Sequence, residues 1–177
     1  MTAPRSSPSN SENSKAARFR CCLDAILVDI GNTLVHEAPP NTPTHALQAR
    51  LLPNVLQDLE WFRETLPIAA VTNTSVMTES DVRRALKGTG LNRLLDFIIT
   101  SADVGVAKPD PLPLLVAIDR LTTADTRRIL YIGDLPTDAA AAEAAGMPFA
   151  PAQPGLRQTV TQWHDVVHRS GHASDDR

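Results

Sequence analysis

Four short segments of this chain carry side chains that could do chemistry together: Asp29 with Gly31-Asn32-Thr33 behind it, Thr72 with Asn73, Lys108, and Asp134 with Asp138. Carboxylates brought to one place repel each other unless a cation or a shared proton intervenes. Hard oxygen ligands in that number, with room left for water and a phosphate, suit Mg2+. A lysine at the same place would hold a phosphate together with the metal, the Thr72 hydroxyl and backbone amides. Taken singly, an Asp in a turn is usually a turn former and a Lys-Pro loop is usually solvated, so the chemistry depends on all four segments meeting.

Meeting is a matter of the elements that carry them. Short apolar runs bounded by turn formers occupy residues 25–30, 67–72, 96–100 and 128–133, with a weaker one at 147–150. Such runs suit strands buried on both faces. Between them lie sets with helical spacing: Val55, Leu56, Leu59, Phe62 and Leu66; then Val82, Ala85 and Leu86; then Leu112, Leu115, Val116 and Leu121. Pro53 and Pro111 stand where a first helical turn tolerates proline, Thr78 can cap a helix and Gly88 can end one. The alternation predicts an α/β fold with a parallel sheet covered by helices on both faces. In such sheets the ligand crevice lies beyond the carboxyl ends of the strands, where Asp29, Thr72 and Asp134 stand.

The bulk properties narrow the function classes. With 177 residues and 42% apolar composition, the chain can bury one sizeable core, so one domain is expected over residues 19–169. A net charge of -3 gives no broad basic footprint, which argues against nucleic-acid and membrane partners and makes anion binding a matter for a local pocket. Cys21 and Cys22 are neighbours, no disulfide framework follows, and a reducing cytoplasm is the expected compartment. No apolar run has the length to cross a bilayer, and the N-terminus lacks an apolar signal core. Residues 1–18 and 170–177 are too polar to offset their own ordering entropy and are expected to be disordered tails. Only Lys15, Lys87 and Lys108 are lysines, which singles out the last of them.

The motifs, taken in order, resemble those of the haloacid dehalogenase superfamily. Asp29-Ile30-Gly31-Asn32-Thr33-Leu34 is similar to its first motif, Asp-x-Asp-Gly-Thr-Leu. Val71-Thr72-Asn73 resembles the second, Lys108-Pro109-Asp110-Pro111 the third, and Gly133-Asp134-Leu135-Pro136-Thr137-Asp138 the fourth. Ala144-Ala145-Gly146-Met147 is similar to the usual ending, so the resemblance covers about residues 23–151. It implies a Rossmann-like three-layer α/β/α sandwich and a Mg2+-dependent phosphatase or phosphotransferase in which Asp29 attacks phosphorus and water hydrolyses the aspartyl-phosphate. It also implies Mg2+ held by the Asp29 carboxylate, the Gly31 carbonyl and Asp134, with Asp138 direct or through water. Thr72, Asn73 and Lys108 would form the phosphate site, with Asp29, Thr72 and Lys108 the catalytic set.

One position departs from the pattern. The family's usual general acid and base stands two residues after the nucleophile, and here that place is Gly31. General acid help is worth about 10²–10⁴-fold. Its loss favours a good leaving group such as an acyl or aryl phosphate, or a substitute donor such as His36. Asn32 replaces a usual Gly and tolerates a left-handed turn. Two further readings stay open: a catalytically weak or inactive phosphate-binding scaffold, and a phosphonatase- or dehalogenase-type hydrolase. Dehalogenases need no metal and usually carry Tyr where Gly31 stands.

The span between the first two motifs, residues 34–52, includes Pro39, Pro40 and Pro43 and can hold only a flap and one short helix, a minimal cap. An open site implies a large or macromolecular phosphorylated substrate, or a homodimer whose second subunit serves as lid. Trp61 and Phe62 read as core. A helix over residues 159–168 with Val160, Trp163, Val166 and Val167 reads as packing or a dimer contact. His164, His168 and His172 have metal-like spacing but no acidic or Cys partner in the sequence, so no metal site is expected there.

Overall fold

The computed structural model describes residues 18–39, 42–121 and 125–171. Residues 1–17 and 172–177 of the expected tails, and with them Lys15 and His172, lie outside the described residues, as does Pro40 in the flap. Five strands form one sheet: β1 (Ala25–Val28), β2 (Ile68–Thr72), β3 (Ile98–Thr100), β4 (Ile129–Gly133) and β5 (Phe149–Pro151). Their order is β3-β2-β1-β4-β5 and every pairing is parallel. Parallel neighbours need crossovers. These are supplied by α1 (Val55–Arg63), α2 (Glu79–Ala85), α3 (Ser101–Val104), α4 (Leu112–Leu121) and α5 (Pro136–Ala144), with α6 (Leu156–Gly171) following β5.

Successive strand side chains point to opposite faces, and the core divides accordingly. Ile26, Val28, Ile68, Ala70, Leu130 and Ile132 face α1, α2 and α6, where Leu59, Phe62, Val82, Leu86 and Val160 meet them. Ala25, Leu27, Ala69, Val71, Ile129 and Tyr131 face α4 and α5, meeting Leu114, Ala117, Ala141 and Ala142. The molecule is therefore the expected three-layer α/β/α sandwich. From β1 the chain builds outward through β2 to β3, then crosses back to β4 on the other side of β1. The topological switch point lies between β1 and β4, the strands that end at Asp29 and Asp134.

The element ends differ from expectation for local reasons. Asp96 and Phe97 precede β3 instead of opening it, because the Asp96 carboxylate is used locally: it accepts from Ile68 N–H at 3.2 Å and pairs with Arg63. Helix α1 stops at Arg63, and the N–H groups of both Thr65 and Leu66 turn back to the Phe62 carbonyl, which leaves Leu66 buried without a helix. Pro53 stands outside α1, whose N-cap is Asn54 at a φ of 64°. Helix α6 begins at Leu156, earlier than the apolar spacing predicts. Val160 is buried and Trp163 packs on the core, while Val166 and Val167 are exposed.

Between β1 and α1 the chain makes a flap. A three-residue 3-10 turn, Thr44–Ala46, is its one helical element among the described residues. Its two ends are tied together by an antiparallel bridge between Val35 and Leu51 and by His36 N–H donating to the Arg50 carbonyl at 2.9 Å. No helix among the described residues is long and apolar enough to cross a membrane.

His164 requires a correction. Its sequence neighbourhood offers no cysteine, yet the fold brings Cys21, Cys22 and His164 ligand atoms within 4.8 Å of one another, because the turn Arg18–Cys21 packs on α6 through Phe19, whose ring centroid lies 5.1 Å from that of His164. Burial pushes the Cys22 thiol up to about 11, and both thiols donate to backbone carbonyls, of Arg18 and Phe19. The Cys22 sulfur is thus held as a thiol.

Candidate active site

Lys108 is the centre of the site. Its Nζ, on a side chain of a residue only 5% exposed, lies 2.7 Å from Asp29 Oδ1, 2.6 Å from Asp138 Oδ1, 2.7 Å from the Tyr131 hydroxyl and 3.0 Å from the Val71 carbonyl. Two buried carboxylates sharing one buried ammonium make an arrangement that tolerates the loss of no member.

Each member is delivered by a local device. Asp29 leaves β1 with its N–H still bonded to the Ile132 carbonyl at 2.8 Å, so its backbone is held by β4. Asn73, at the end of β2, uses both ends of its side-chain amide on the backbone of Lys108: Nδ2 donates to the Lys108 carbonyl and Oδ1 accepts the Lys108 N–H, each at 2.9 Å. The side chain of Asn73, a residue expected in the phosphate site, is the clamp that positions the lysine loop. Asp138, in the first turn of α5, accepts the Leu135 N–H at 3.0 Å on Oδ2 and the Tyr131 hydroxyl at 2.9 Å on Oδ1.

Gly133 permits this packing. A Cβ there would lie 2.5 Å from Asp138 Cγ, so any side chain displaces the carboxylate that anchors Lys108. Gly133→Ala should destabilise the protein by about 1–3 kcal/mol, as overpacking of a tight interior does. Urea denaturation checks this, and a midpoint equal to that of the unaltered protein would contradict it.

Electrostatics follow from burial. Desolvation raises the Asp29 carboxyl to about 6 despite the opposing pull of Lys108. Desolvation also raises Asp134, with the charge of Asp138 adding to the shift and that of Lys108 opposing it. The Tyr131 phenol is held well above its ordinary value by burial and by the charges of Asp29 and Asp138, so it stays protonated and donates.

Asp134 Oδ1 is buried and makes no hydrogen bond. An orphaned carboxylate oxygen is costly unless a cation meets it. Asp29, Asp134 and Asp138 each offer an oxygen, all within 4.8 Å of one another. Ligand oxygens of one octahedral ion at 2.0–2.1 Å would be spaced by about 3–4 Å, so the donor set fits a small, hard divalent cation.

All the sequence-predicted site residues, Asp29, Gly31, Thr72, Asn73, Lys108, Asp134 and Asp138, line one cavity of about 330 Å³. His36 does not: it lines a neighbouring apolar cavity. Sequence reasoning missed Tyr131, which sits mid-strand and whose signal was a polar hydroxyl in an otherwise aliphatic buried run. It also missed Glu37, at the cavity wall. A larger, open cavity of about 810 Å³, lined by β3, α2 and α4, holds none of these residues.

Residues 37–152, about two thirds of the chain, match the family model described as haloacid dehalogenase-like hydrolase. The chain belongs to that family. The matched stretch takes in Thr72, Lys108, Asp134 and Asp138 and begins after Asp29. This haloacid dehalogenase-like hydrolase is similar to the phosphoglycolate phosphatase of Cereibacter sphaeroides strain ATCC 17025, 40% identical over 86 residues that make up 49% of this chain and 37% of that protein. It is similar also to that of Thiobacillus denitrificans, 36% identical over 104 residues, 58% and 44% of the two chains. It thus spans less than half the length of these relatives.

Among solved structures, a haloacid dehalogenase-superfamily hydrolase from Ehrlichia chaffeensis superposes with a TM-score of 0.64 at 16% identity, over 82% of this chain and 98% of the other. A putative phosphoglycolate phosphatase from Lactobacillus plantarum does so with a TM-score of 0.61 at 19% identity, over 82% and 98%. These likenesses show the fold.

Proposed function

We propose that this hydrolase is a Mg2+-dependent phosphatase working through an aspartyl-phosphate on Asp29. The observation that carries the reading is the single buried ammonium of Lys108 between Asp29 and Asp138, beside the orphaned Oδ1 of Asp134. The curated relatives that the chain partly matches are phosphatases by name, which agrees with it.

In this reading Asp29, the Gly31 carbonyl and Asp134 would hold Mg2+, with Asp138 direct or through water, and the ion would supply positive charge to the phosphoryl oxygens. The chain's own residues do the rest. Asp29 Oδ1 is engaged by Lys108, while Oδ2 faces the open space at Gly31, which directs attack from Oδ2. A bond forms from that oxygen to phosphorus as the bond to the leaving oxygen breaks, and water then releases phosphate from Asp29. Lys108 and the Thr72 hydroxyl offset charge on the phosphoryl oxygens, and Asn73 keeps Lys108 in place. Tyr131 and Asp138 keep the ammonium fixed.

The test is hydrolysis of acetyl phosphate and p-nitrophenyl phosphate with and without Mg2+, with Asp29→Asn as control. We expect turnover that requires the metal and falls by at least about a thousandfold in the variant, as loss of a nucleophile does. The glycine at position 31 supports a second reading, a catalytically weak phosphate-binding protein. Metal-dependent binding of phosphate with no turnover would favour it.

Metal and pH are coupled here. In EDTA the Asp29 carboxyl, raised to about 6, binds more protons folded than unfolded between about pH 4 and 6. Its contribution to stability therefore falls as pH rises through that window and stays low above it. Mg2+ favours the ionised form, so its stabilising effect should grow from pH 5 to pH 7.5, reaching about 2.7 kcal/mol at a hundred times its dissociation constant. Thermal melts at the two pH values, with Mg2+ and with EDTA, measure this; an increment larger at pH 5 would contradict it.

A further inference from the structure

The carboxylate cavity shares Gly31, Glu37, Thr72 and Asn73 with a second cavity of about 210 Å³. Most of the wall of this second space is apolar, with Val35 from the turn after β1, Leu47 and Ala49 from the flap, and Met77, Val82 and Leu86 from α2 and its flanks, while Gln48 and Thr74 add uncharged polar groups. His36 and Glu37 are its ionisable linings among the described residues, and no Lys or Arg lines it. Between the two spaces stands Gly31. Its φ is not left-handed, so the backbone does not require glycine, and a Cβ there would meet nothing closer than Asp29 Oδ2 at 4.0 Å. The absent side chain leaves the way from Asp29 Oδ2 into the apolar cavity unobstructed.

We propose that the apolar cavity receives the leaving group of the phosphorylated substrate and selects a small one that carries no charge of its own before the bond to phosphorus breaks, an aryl or short acyl group. This rests on the phosphatase reading and adds the substrate class to it. Size supports it: an apolar cavity of about 150 Å³ takes one benzene ring, so about 210 Å³ holds a single ring or a short chain with its bridging oxygen. Polarity supports it too. A substrate carrying a carboxylate, such as 2-phosphoglycolate, would place a second anion against Glu37 with no cation to meet it.

The chemistry agrees with the missing acid. As Asp29 Oδ2 bonds to phosphorus, the electron pair of the breaking bond goes to a phenolate or a carboxylate. A carboxylate needs no proton near neutral pH, and a phenolate is a far weaker base than an alkoxide. Water then attacks phosphorus, the bond to Asp29 breaks, and inorganic phosphate leaves with the proton of that water passing to solvent. Aryl phosphate esters and acyl phosphate anhydrides are thus the substrates that a site with glycine at position 31 favours.

The experiment uses the full chain with saturating Mg2+. It compares kcat/KM for phenyl phosphate, 2-phosphoglycolate, and the series acetyl, propionyl and butyryl phosphate. We expect phenyl phosphate to exceed 2-phosphoglycolate by at least about 100-fold and the acyl series to rise by about fourfold per methylene. Ala49→Phe, which fills the cavity, should cost phenyl and butyryl phosphate at least tenfold more than acetyl phosphate. Met77→Lys, which supplies a cation, should narrow the preference over 2-phosphoglycolate at least tenfold.

A binding arm separates the two readings. Calorimetry with phenylphosphonate and phosphonoacetate needs no turnover, and phenylphosphonate should bind tighter. Turnover with 2-phosphoglycolate preferred, or with a flat acyl series, overturns the pocket assignment and leaves the phosphatase reading standing. No turnover of any of these phosphates defeats the phosphatase reading, and the phosphonate pair then decides the pocket: equal affinities, or tighter phosphonoacetate, overturn it. Should Ala49→Phe fail to melt cooperatively, the acyl series and the phosphonates, measured on the unaltered protein, decide whether the pocket takes the leaving group.

Discussion

Lys108→Met is expected to lower the free energy of unfolding by about 3–5 kcal/mol at pH 7 and to cut turnover by at least about 100-fold. Methionine fills nearly the same volume, so the loss is one of charge. Asp29, Asp138 and Lys108 are 6%, 1% and 5% exposed, and water has little access to the carboxylates that the ammonium leaves behind. Tyr131 and the Leu135 N–H would still serve Asp138, but Asp29 Oδ1 would lose its cation.

The sign of the pH dependence follows. Without the ammonium the Asp29 carboxyl, already raised by burial, titrates higher still in the folded protein. The folded state then binds more protons, and the variant's deficit should shrink as pH falls from 7 toward 5. Urea titrations in EDTA at both pH values measure it. A deficit below about 1 kcal/mol at pH 7, or one that widens on acidification, would show that Lys108 does not hold these charges together. By comparison Tyr131→Phe removes one hydroxyl and should cost on the order of 1 kcal/mol.

Gly31→Asp is expected to raise kcat/KM on alkyl phosphates by about 10²–10⁴-fold while changing acetyl phosphate turnover little. The space exists, since a Cβ at this position meets only Asp29 Oδ2, at 4.0 Å, and the backbone adopts no conformation reserved for glycine. A carboxyl there would sit beside Asp29 and Asp134. Like charge raises its pKa and keeps a proton available for the departing alkoxide. Acyl phosphates depart without that proton and gain nothing from it.

Gly31→Asn is the matched control, of the same size with no proton to give, and should show no gain. Equal gains in both variants would mean that the side chain acts by filling space. No gain in either would mean that leaving-group protonation does not limit this enzyme and that glycine at position 31 does not restrict its substrates.

Much of this was legible in the residues themselves. Runs such as Ile129-Leu130-Tyr131-Ile132 are apolar at every position, and only a strand covered on both faces buries all of them, so the parallel sheet followed from composition and spacing. The site followed from what ended those runs. An Asp after β1, Thr-Asn at the end of β2 and an Asp after β4 are poor choices for burial and good ones for the carboxyl edge of such a sheet. The belonging of Lys108 to this group came through motif order, since nothing in its own loop distinguishes it from a solvated lysine.

Other features exist only because distant segments touch. Asn73 is read in sequence as another polar residue at a strand end, and its task as the clamp on Lys108 depends on a contact across 35 positions. Tyr131 points inward by the two-residue period of β4, but its partners come from β2, α5 and the Lys108 loop, and no local pattern encodes them. The neighbours of His164 and the apolar cavity beside Gly31 are of the same kind. Periodicity and residue type determine which face of an element is buried and which chemistry stands at its ends, because both are properties of a few consecutive residues. Which side chain satisfies a buried charge, and what shape of space is left beside it, is decided when elements far apart in the chain pack, because hydrogen bonds and cavities belong to the assembled interior.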